Sequence, residues 1–289
     1  MGTTLYKNAD WIITMNEKRE KIRHGDLLIS GKEILDVGTD LEKKYEGTLK
    51  IDHVVEAEGT VILPGFVNVH HHTWQSLIRN IQATRGLKLE PWLTVMYEIY
   101  KDLNTDVARA GVYSGLGDML KTGCTTSNDL WYPHPVGVKY LVDAEIEAAA
   151  EIGIRFHPTR GFHSVPSSIV PPEVVDTKES VVEDTIRLVK KYHDRSRFSM
   201  CQVGIAPSIA QYETEDIIEA VVDLAEEYDI MVHGHLAESQ HEVEYTLKTW
   251  GCRPFEWFKR HRLLGKRFYF AHCIHLNEEE IAQMADRII

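Results

Sequence analysis

Two patterns of apolar and polar residues divide this chain. Before about residue 60, short runs rich in β-branched residues at 10–14, 26–37 and 51–55 are separated by polar segments. Gly31-Lys32 interrupts one of these runs and is typical of a tight hairpin turn. We therefore predict a small β-sheet over residues 1–60, as a domain of its own.

From residue 61 the pattern becomes an alternation of strands and amphipathic helices. Six strands are predicted, at Val61–His72, Thr125–Trp131, Ile154–Phe162, Met200–Pro207, Ile230–Leu236 and Phe268–Leu276. Apolar stripes at helical spacing lie between them, for example over 138–152 and 214–228. Strand–helix units in series predict a parallel sheet covered by helices. An open doubly wound sheet and a closed barrel both satisfy this pattern.

Histidines at the strand ends favour the (β/α)8 TIM barrel, whose active site lies at the carboxyl ends of its strands. A closed barrel has eight strands, and only six are predicted before the sequence stops at residue 289. We therefore expect residues 61–289 to be a C-terminally incomplete (β/α) barrel.

Charge and composition exclude several classes of partner. There are 44 acidic and 32 basic residues, a formal net charge of −12, which disfavours nucleic acid and anionic lipid as partners. There is no apolar run of the roughly 20 residues that a membrane helix needs, and no secretory signal. The four scattered cysteines form no Cys-x-x-Cys pair. These features predict a cytoplasmic protein without a membrane partner.

Histidine is the unusual component, with 15 residues, several of them clustered. His70 and His72 are two residues apart on a predicted strand, so their side chains point the same way. His235, at the end of the fifth predicted strand, would be a third ligand, and His233 is the alternative. Imidazole is a common ligand of divalent metals, so these residues predict one metal site.

Two further residues are candidates for acid–base chemistry. Glu238 follows His235 by three residues, beyond the strand end, where a carboxylate can take a proton from water and pass it to a ring nitrogen. His272, on the sixth predicted strand, would hold or polarise the reacting groups, with His275 as the alternative. The plainer interpretation makes Glu238 a solvated helix residue and His272 a core residue.

Three motifs in register resemble those of the amidohydrolase superfamily, in its branch of aromatic-ring aminohydrolases. PGFVNVHHHTWQSLIR, from residue 64, resembles the first metal motif of that branch. HGHLAES, from residue 233, and FAHCIHL, from residue 270, resemble its fifth- and sixth-strand motifs. The N-terminal β segment resembles half of the accessory β-sandwich, so the likeness covers essentially the whole chain.

The resemblance implies a metal bound by His70, His72 and His235, with Glu238 and His272 moving protons. It implies zinc as the ion, with iron and manganese as alternatives, and a homo-oligomer. The family pattern also has a metal-binding aspartate at the end of strand eight, before which this sequence stops. Asp129, after strand two, is in the wrong place to replace it. Two hypotheses follow: the sequence is part of a longer protein that supplies the aspartate, or it is a catalytically defective homologue or fragment. We favour the former, because an open parallel barrel would expose apolar edges and aggregate.

The substrate prediction rests on residues near these motifs. Three consecutive histidines followed by Gln75 resemble 8-oxoguanine and isoxanthopterin deaminases and the hydroxyatrazine-type ethylaminohydrolase, and Arg160 also matches that group. Gln75 offers a donor and an acceptor to a lactam edge, and Arg160 a fork of donors to a carbonyl. Trp74 and Trp131 could supply stacking walls, as could Trp92 and Tyr132.

We therefore expect hydrolytic deamination of a nitrogen-rich aromatic ring, such as an 8-oxoguanine-, guanine- or pterin-like small molecule, with release of ammonia. The alternative is a triazine amino- or alkylaminohydrolase, which uses the same attack on a ring with another leaving group.

Overall fold

A computed structural model describes residues 2–288, with side chains described up to residue 286. The chain divides after Phe66 into two compact units. Each unit has its own sheet, and the two sheets differ in how their strands pair.

The first unit is built on a five-stranded sheet. Its strands are β1 (Thr3–Ile13), β2 (Lys21–Ser30), β3 (Glu33–Gly38), β4 (His53–Glu56) and β5 (Val61–Ile62), and its helix is α1 (Leu41–Tyr45). The order is β3-β2-β1-β4, with β5 also paired to β1. β2 runs antiparallel to β1 and β3, and the predicted turn at Gly31-Lys32 joins β2 to β3. Gly31 has a φ of 57°, the left-handed conformation that glycine adopts without strain.

The second unit contains the predicted parallel sheet. Its strands are β6 (Phe66–Asn68), β7 (Cys124–Trp131), β8 (Arg155–Phe162), β9 (Gly204–Pro207), β10 (Val232–Leu236) and β11 (Phe268–His272). Neighbours in the sheet are neighbours in sequence, from β6 at one edge to β11 at the other. The sheet curls as a half-barrel of six strands, which confirms the predicted fold class.

The first predicted barrel strand, residues 61–72, is wrong in its extent. Val61–Ile62 pairs with β1 in the sheet of the first unit, whereas Phe66–Asn68 pairs in the half-barrel. Pro64 lies between them, and a proline has no N–H with which to continue a strand ladder. His70 and His72 consequently follow the end of β6 and lead into a short 3-10 turn at Thr73–Leu77.

Helices connect the strands of the half-barrel. They are α2 (Leu89–Tyr100), α3 (Thr105–Lys121), α4 (Leu141–Ile152), α5 (Lys178–Tyr192), α6 (Glu215–Tyr228), α7 (Gln240–Trp250), α8 (Pro254–Arg260) and α9 (Glu278–Ile288). Asn104, Thr177 and Ser239 cap α3, α5 and α7, each accepting hydrogen bonds from first-turn N–H groups. Every helix among the described residues is too short or too polar to cross a bilayer.

Gly161 in β8 allows an unusually close approach of the chain that follows β7. A Cβ atom at this position would lie 2.5 Å from the carbonyl oxygen of Trp131 and 3.0 Å from the Cα of Tyr132. Both neighbours are backbone atoms, so only a shift of the main chain could make room for a methyl group. Glycine is therefore required here by packing.

We expect Gly161→Ala to lower the free energy of unfolding by about 1–3 kcal/mol, the usual cost of overpacking. Gly117 in α3 is the matched control, because a Cβ there would meet nothing within 4 Å. Gly117→Ala should instead stabilise the protein by about 0.5–1 kcal/mol, through a better helix propensity. Urea unfolding of both variants measures the difference, and equal stabilities would contradict the packing argument.

Candidate active site

Three imidazoles from two segments of the second unit converge on one point. His70 and His72 follow β6, and His235 lies in β10. One ring nitrogen from each lies within 4.8 Å of the others, and the Nε2 atoms of His72 and His235 are 3.3 Å apart. Two nitrogens bound to one tetrahedral zinc ion, each at about 2.0–2.1 Å, would be separated by about 3.4 Å. The spacing therefore fits a shared metal ion.

Hydrogen bonds hold these rings with one nitrogen toward the shared point. The Nδ1 atom of His72 lies 2.7 Å from the carbonyl oxygen of Leu130, and that of His235 lies 2.6 Å from the carbonyl oxygen of Ser208. A carbonyl oxygen only accepts, so each Nδ1 carries the proton and each Nε2 keeps its lone pair. The Nε2 atoms of His72 and His235, which lie 3.3 Å apart, are therefore both free to bind a metal ion.

Burial keeps the three histidines neutral. It lowers the pKa of His235 to about 4 and holds the pKa of His72 well below its usual value. The pKa of His70 is also lowered, first by burial and then by the neighbouring imidazoles. Neutral rings are the form that binds a metal, so the donor set suits a divalent cation at ordinary pH.

His233, the alternative ligand, is engaged elsewhere. Its Nε2 atom lies 2.8 Å from Nδ1 of His70, and its Nδ1 atom lies 3.0 Å from the carbonyl oxygen of Tyr269. Both ring nitrogens therefore have partners, and the groups of possible metal ligands among the described residues do not include it. His233 stands behind His70.

Glu238 and His272 lie together beside the three imidazoles. Oε1 of Glu238 is 3.3 Å from Nε2 of His272, and the ring of His272 stacks on that of His235 at a centroid distance of 5.2 Å. Burial is the main cause that raises the pKa of Glu238 above its usual value, and His272 opposes it. A carboxylate with a raised pKa at this position is suited to accept and return a proton.

The backbone that carries Glu238 is held from the following helix. Glu242 in α7 accepts hydrogen bonds from the N–H groups of Ala237, at 3.1 Å, and Glu238, at 2.8 Å. Ala237 has a φ of 50°, in the left-handed region that non-glycine residues seldom adopt. The turn after β10 is thus fixed in an uncommon conformation, and Glu238 faces the same cavity as the histidines.

The cavity beside this cluster has a volume of about 330 Å³, at the lower end of the range for small-molecule sites. Its lining includes the five clustered residues and Gln75, whose amide nitrogen donates to the hydroxyl oxygen of Tyr100 at 3.0 Å. Trp92 and Tyr132, two of the aromatic candidates, also line it. Flat rings and polar groups together suit a small planar ligand.

Arg160 does not reach this cavity, which corrects the sequence-based prediction. Its guanidinium is 2% exposed and pairs with Asp176 at 2.8 Å and with Asp184 at 2.9 Å. These groups line a different cavity of about 580 Å³. Asp184 lies in α5, outside the sheet, so the side chain of Arg160 faces the helices. A buried guanidinium requires such partners. The two carboxylates therefore take up the N–H donors of Arg160 that were predicted to bind a substrate carbonyl.

Trp74 and Trp131 are also absent from the cavity lining. Both are fully buried, with ring centroids 4.6 Å apart, and Trp74 packs against the ring of His72 at 5.1 Å. The indole nitrogen of Trp131 donates to the carbonyl oxygen of Pro133. The two indoles pack together, and Trp74 contacts the ring of His72, a predicted metal ligand. Neither indole offers a stacking surface to a molecule in the cavity.

Several cavity residues were missed by the sequence analysis. The hydroxyl oxygen of Tyr97 lies 2.6 Å from Nε2 of His163, and both line the cavity with Gln211 and Tyr212. Burial lowers the pKa of His163 to about 3. The position of His163, directly after β8, was a usable signal. Tyr97 lies in α2, far from any motif, and only the fold brings it near.

Asp129 lies outside the cluster, as expected. It is fully buried and accepts a hydrogen bond from the N–H of Thr73, whose hydroxyl donates to Glu145. Burial raises the pKa of Asp129 to about 7 and that of Glu145 well above its usual value. Through Thr73 the two acids fix the turn that follows His72. Neither acid belongs to the group of possible metal ligands formed by the three histidines.

Comparisons with known proteins agree on the fold of this region. The model of the Amidohydrolase family matches residues 61–288. The chain is 32% identical over 234 residues to an 8-oxoguanine deaminase of Pseudomonas aeruginosa, covering 80% of this chain and 52% of that protein. It is 28% identical to a hydroxydechloroatrazine ethylaminohydrolase of Pseudomonas sp., covering 99% and 61%.

A solved structure adds a metal to the comparison. The atrazine chlorohydrolase of Arthrobacter aurescens, complexed with zinc, superimposes with a TM-score of 0.90 at 26% identity. The match covers 98% of this chain and 64% of that one. The chain therefore spans less than two thirds of the length of these three relatives.

We expect Arg160→Met to lower the free energy of unfolding by about 3–5 kcal/mol, since it leaves two carboxylates without their buried cation. Arg109→Met is the control, because it removes an arginine that pairs with Glu151 in an exposed salt bridge, where the cost is about 1 kcal/mol or less. Chemical unfolding of the two variants measures the contrast. A stable Arg160→Met protein would argue that the arginine is free for another role.

Proposed function

We propose that this chain, which belongs to the amidohydrolase family, carries the metal-binding part of an aminohydrolase that removes an amine from a nitrogen-rich aromatic ring. The observation that carries the proposal is the convergence of five side chains on one end of a cavity. They are His70, His72, His235, Glu238 and His272.

His70, His72 and His235 would hold one divalent cation, which we propose is zinc. Three neutral imidazoles are a common donor set for this ion, and a fourth position remains open to water or another side chain. Iron and manganese accept the same donors, so metal analysis decides between them. A divalent cation bound at this point supplies Lewis acidity and makes a neighbouring water more acidic.

Glu238 is the proposed proton carrier. Its carboxylate takes a proton from the attacking water and delivers it to a ring nitrogen, so that the amino-bearing carbon becomes tetrahedral. The second proton of the water then reaches the amine, which leaves as ammonia while the ring keeps the oxygen. His272, 3.3 Å from Glu238, has one N–H when neutral: it holds the carboxylate before the proton transfer and donates to the developing oxyanion once Glu238 is protonated.

Gln75 is the proposed recognition residue for the ring edge. One N–H of its amide donates to Tyr100, which leaves the second N–H and the carbonyl oxygen to pair with a ring edge. Tyr132 and Trp92 supply the flat walls. An 8-oxoguanine-, guanine- or pterin-like lactam meets these requirements.

A triazine amino- or alkylaminohydrolase is the second candidate. The likeness to the hydroxydechloroatrazine ethylaminohydrolase extends over 99% of this chain. Such a substrate is attacked in the same way and differs in the leaving group, so the same five residues would serve both reactions.

Metal binding provides the first test. Zinc at 100 times its dissociation constant should stabilise the folded protein by about 2.7 kcal/mol, because only the folded chain assembles the site. We expect this zinc-dependent rise in melting temperature to disappear in His72→Ala and His235→Ala. It should persist in His241→Ala, which removes a half-exposed histidine of α7. Absence of any effect of zinc, iron or manganese on the melting temperature of the wild-type protein would favour the non-catalytic homologue.

Product analysis provides the second test. We expect ammonia release from 8-oxoguanine, guanine or a pterin to exceed ethylamine release from hydroxyatrazine, measured side by side on the zinc-loaded protein. Glu238→Gln should reduce kcat by about 10²–10⁴-fold while zinc content is retained, since the amide cannot carry the proton. Release of ethylamine alone would favour the triazine reaction over deamination of a lactam. Full activity of Glu238→Gln would show that Glu238 is not the proton carrier.

A further inference from the structure

The three converging imidazoles differ in what holds them. His72 and His235 each donate from Nδ1 to a main-chain carbonyl oxygen, which is fixed by the sheet. The corresponding nitrogen of His70 instead faces a side chain, at 2.8 Å from Nε2 of His233. The orientation of His70 therefore depends on the orientation and the tautomer of a second histidine.

The tautomer of His233 follows from its other partner. Its Nδ1 atom lies 3.0 Å from the carbonyl oxygen of Tyr269, which can only accept, so Nδ1 carries a proton. In a neutral ring Nε2 is then an acceptor. His70 must consequently donate from Nδ1, and its Nε2 atom keeps the lone pair that a metal ion needs.

The ring of His233 is itself held firmly. It is 1% exposed and stacks on the ring of Tyr269 with centroids 4.1 Å apart and planes 10° from parallel. The hydroxyl group of Tyr269 accepts a hydrogen bond from Asn128 at 2.9 Å and lies 3.0 Å from Nδ1 of His157. Asn128 lies on β7, His157 on β8 and Tyr269 on β11, so three other strands of the half-barrel combine to fix His233 on β10.

We propose that His233 is the positioning residue of the metal site: through Nε2 it fixes the Nδ1-protonated tautomer of His70 and the direction of its Nε2 lone pair. This inference rests on the proposed function only in taking the cluster to be a metal site. A hydrogen-bond acceptor behind a ligating imidazole both orients the ring and increases its basicity, and loss of such a partner typically weakens metal binding 10–100-fold.

Three substitutions separate the hydrogen bond from simple packing. The amide oxygen of glutamine extends to about the distance of Nε2, whereas that of asparagine extends only to about that of Nδ1. We expect His233→Leu and His233→Asn to weaken zinc binding about 10–100-fold, and His233→Gln to restore most of the affinity. Competition with a chromophoric zinc chelator at fixed pH measures the three values, and melting temperatures of the metal-free variants show that each is folded.

A spectroscopic measurement on the metal-free protein tests the tautomer directly. In long-range ¹H–¹⁵N spectra of histidine-labelled wild-type protein, His70 and His233 should both show protonated Nδ1 and unprotonated Nε2. The pattern of His70 should persist in His233→Gln and change in His233→Leu. A wild-type His70 protonated at Nε2 would overturn the inference, and so would equal zinc affinities of the glutamine and leucine variants.

The two proposals fail in distinguishable ways. If the wild-type protein binds neither zinc nor iron nor manganese, the proposed function fails, while the tautomer measurement still decides the relation between His70 and His233. If it binds zinc and His233→Leu binds it equally tightly, the proposed function stands and His233 is not a positioning residue.

Discussion

Hydrogen bonds from the Nδ1 atoms of buried histidines in the cluster determine the direction in which the Nε2 lone pairs of these rings point. The acceptors belong to neighbouring strand ends: the carbonyl oxygen of Leu130 for His72, and that of Ser208 for His235. Because a parallel sheet sets its strand ends side by side, the acceptor of each of these two imidazoles lies on the neighbouring strand segment. The half-barrel therefore acts as the frame that turns separate histidines into one donor set.

Several buried polar residues around the site also fix the positions of the clustered side chains. Asp129, Thr73 and Glu145 fix the turn after His72, and Glu242 holds the backbone of Glu238. Buried polar groups cost free energy unless they are paired, and here the pairing falls on the segments that carry the cluster. The arrangement limits the freedom of the side chains before any ligand arrives, which is what catalysis by positioning requires.

The motif residues could be predicted because their chemistry is local. His70 and His72 are two positions apart, and Glu238 follows His235 by three residues, so spacing indicated two local groups, and the resemblance of the three motifs to amidohydrolases joined them in one site. Arg160, Trp74 and Trp131 could not be assigned in this way. Each has the chemistry of a binding residue, but tertiary packing sets its actual partner. The arginine pairs with Asp176 and Asp184, and the two indoles pack against each other.

By itself the sequence determined the order of strands and helices, the parallel sheet and the residues able to bind a metal, since apolar periodicity and residue chemistry are properties of short segments. Only the tertiary structure decided which nitrogen of each histidine is free, that His233 stands behind His70, and that Tyr97 and His163 line the cavity. Those facts depend on contacts between residues far apart in the chain, such as the 2.8 Å approach of residues 70 and 233. No local pattern encodes such contacts, because they arise when strands from distant segments are brought into one sheet.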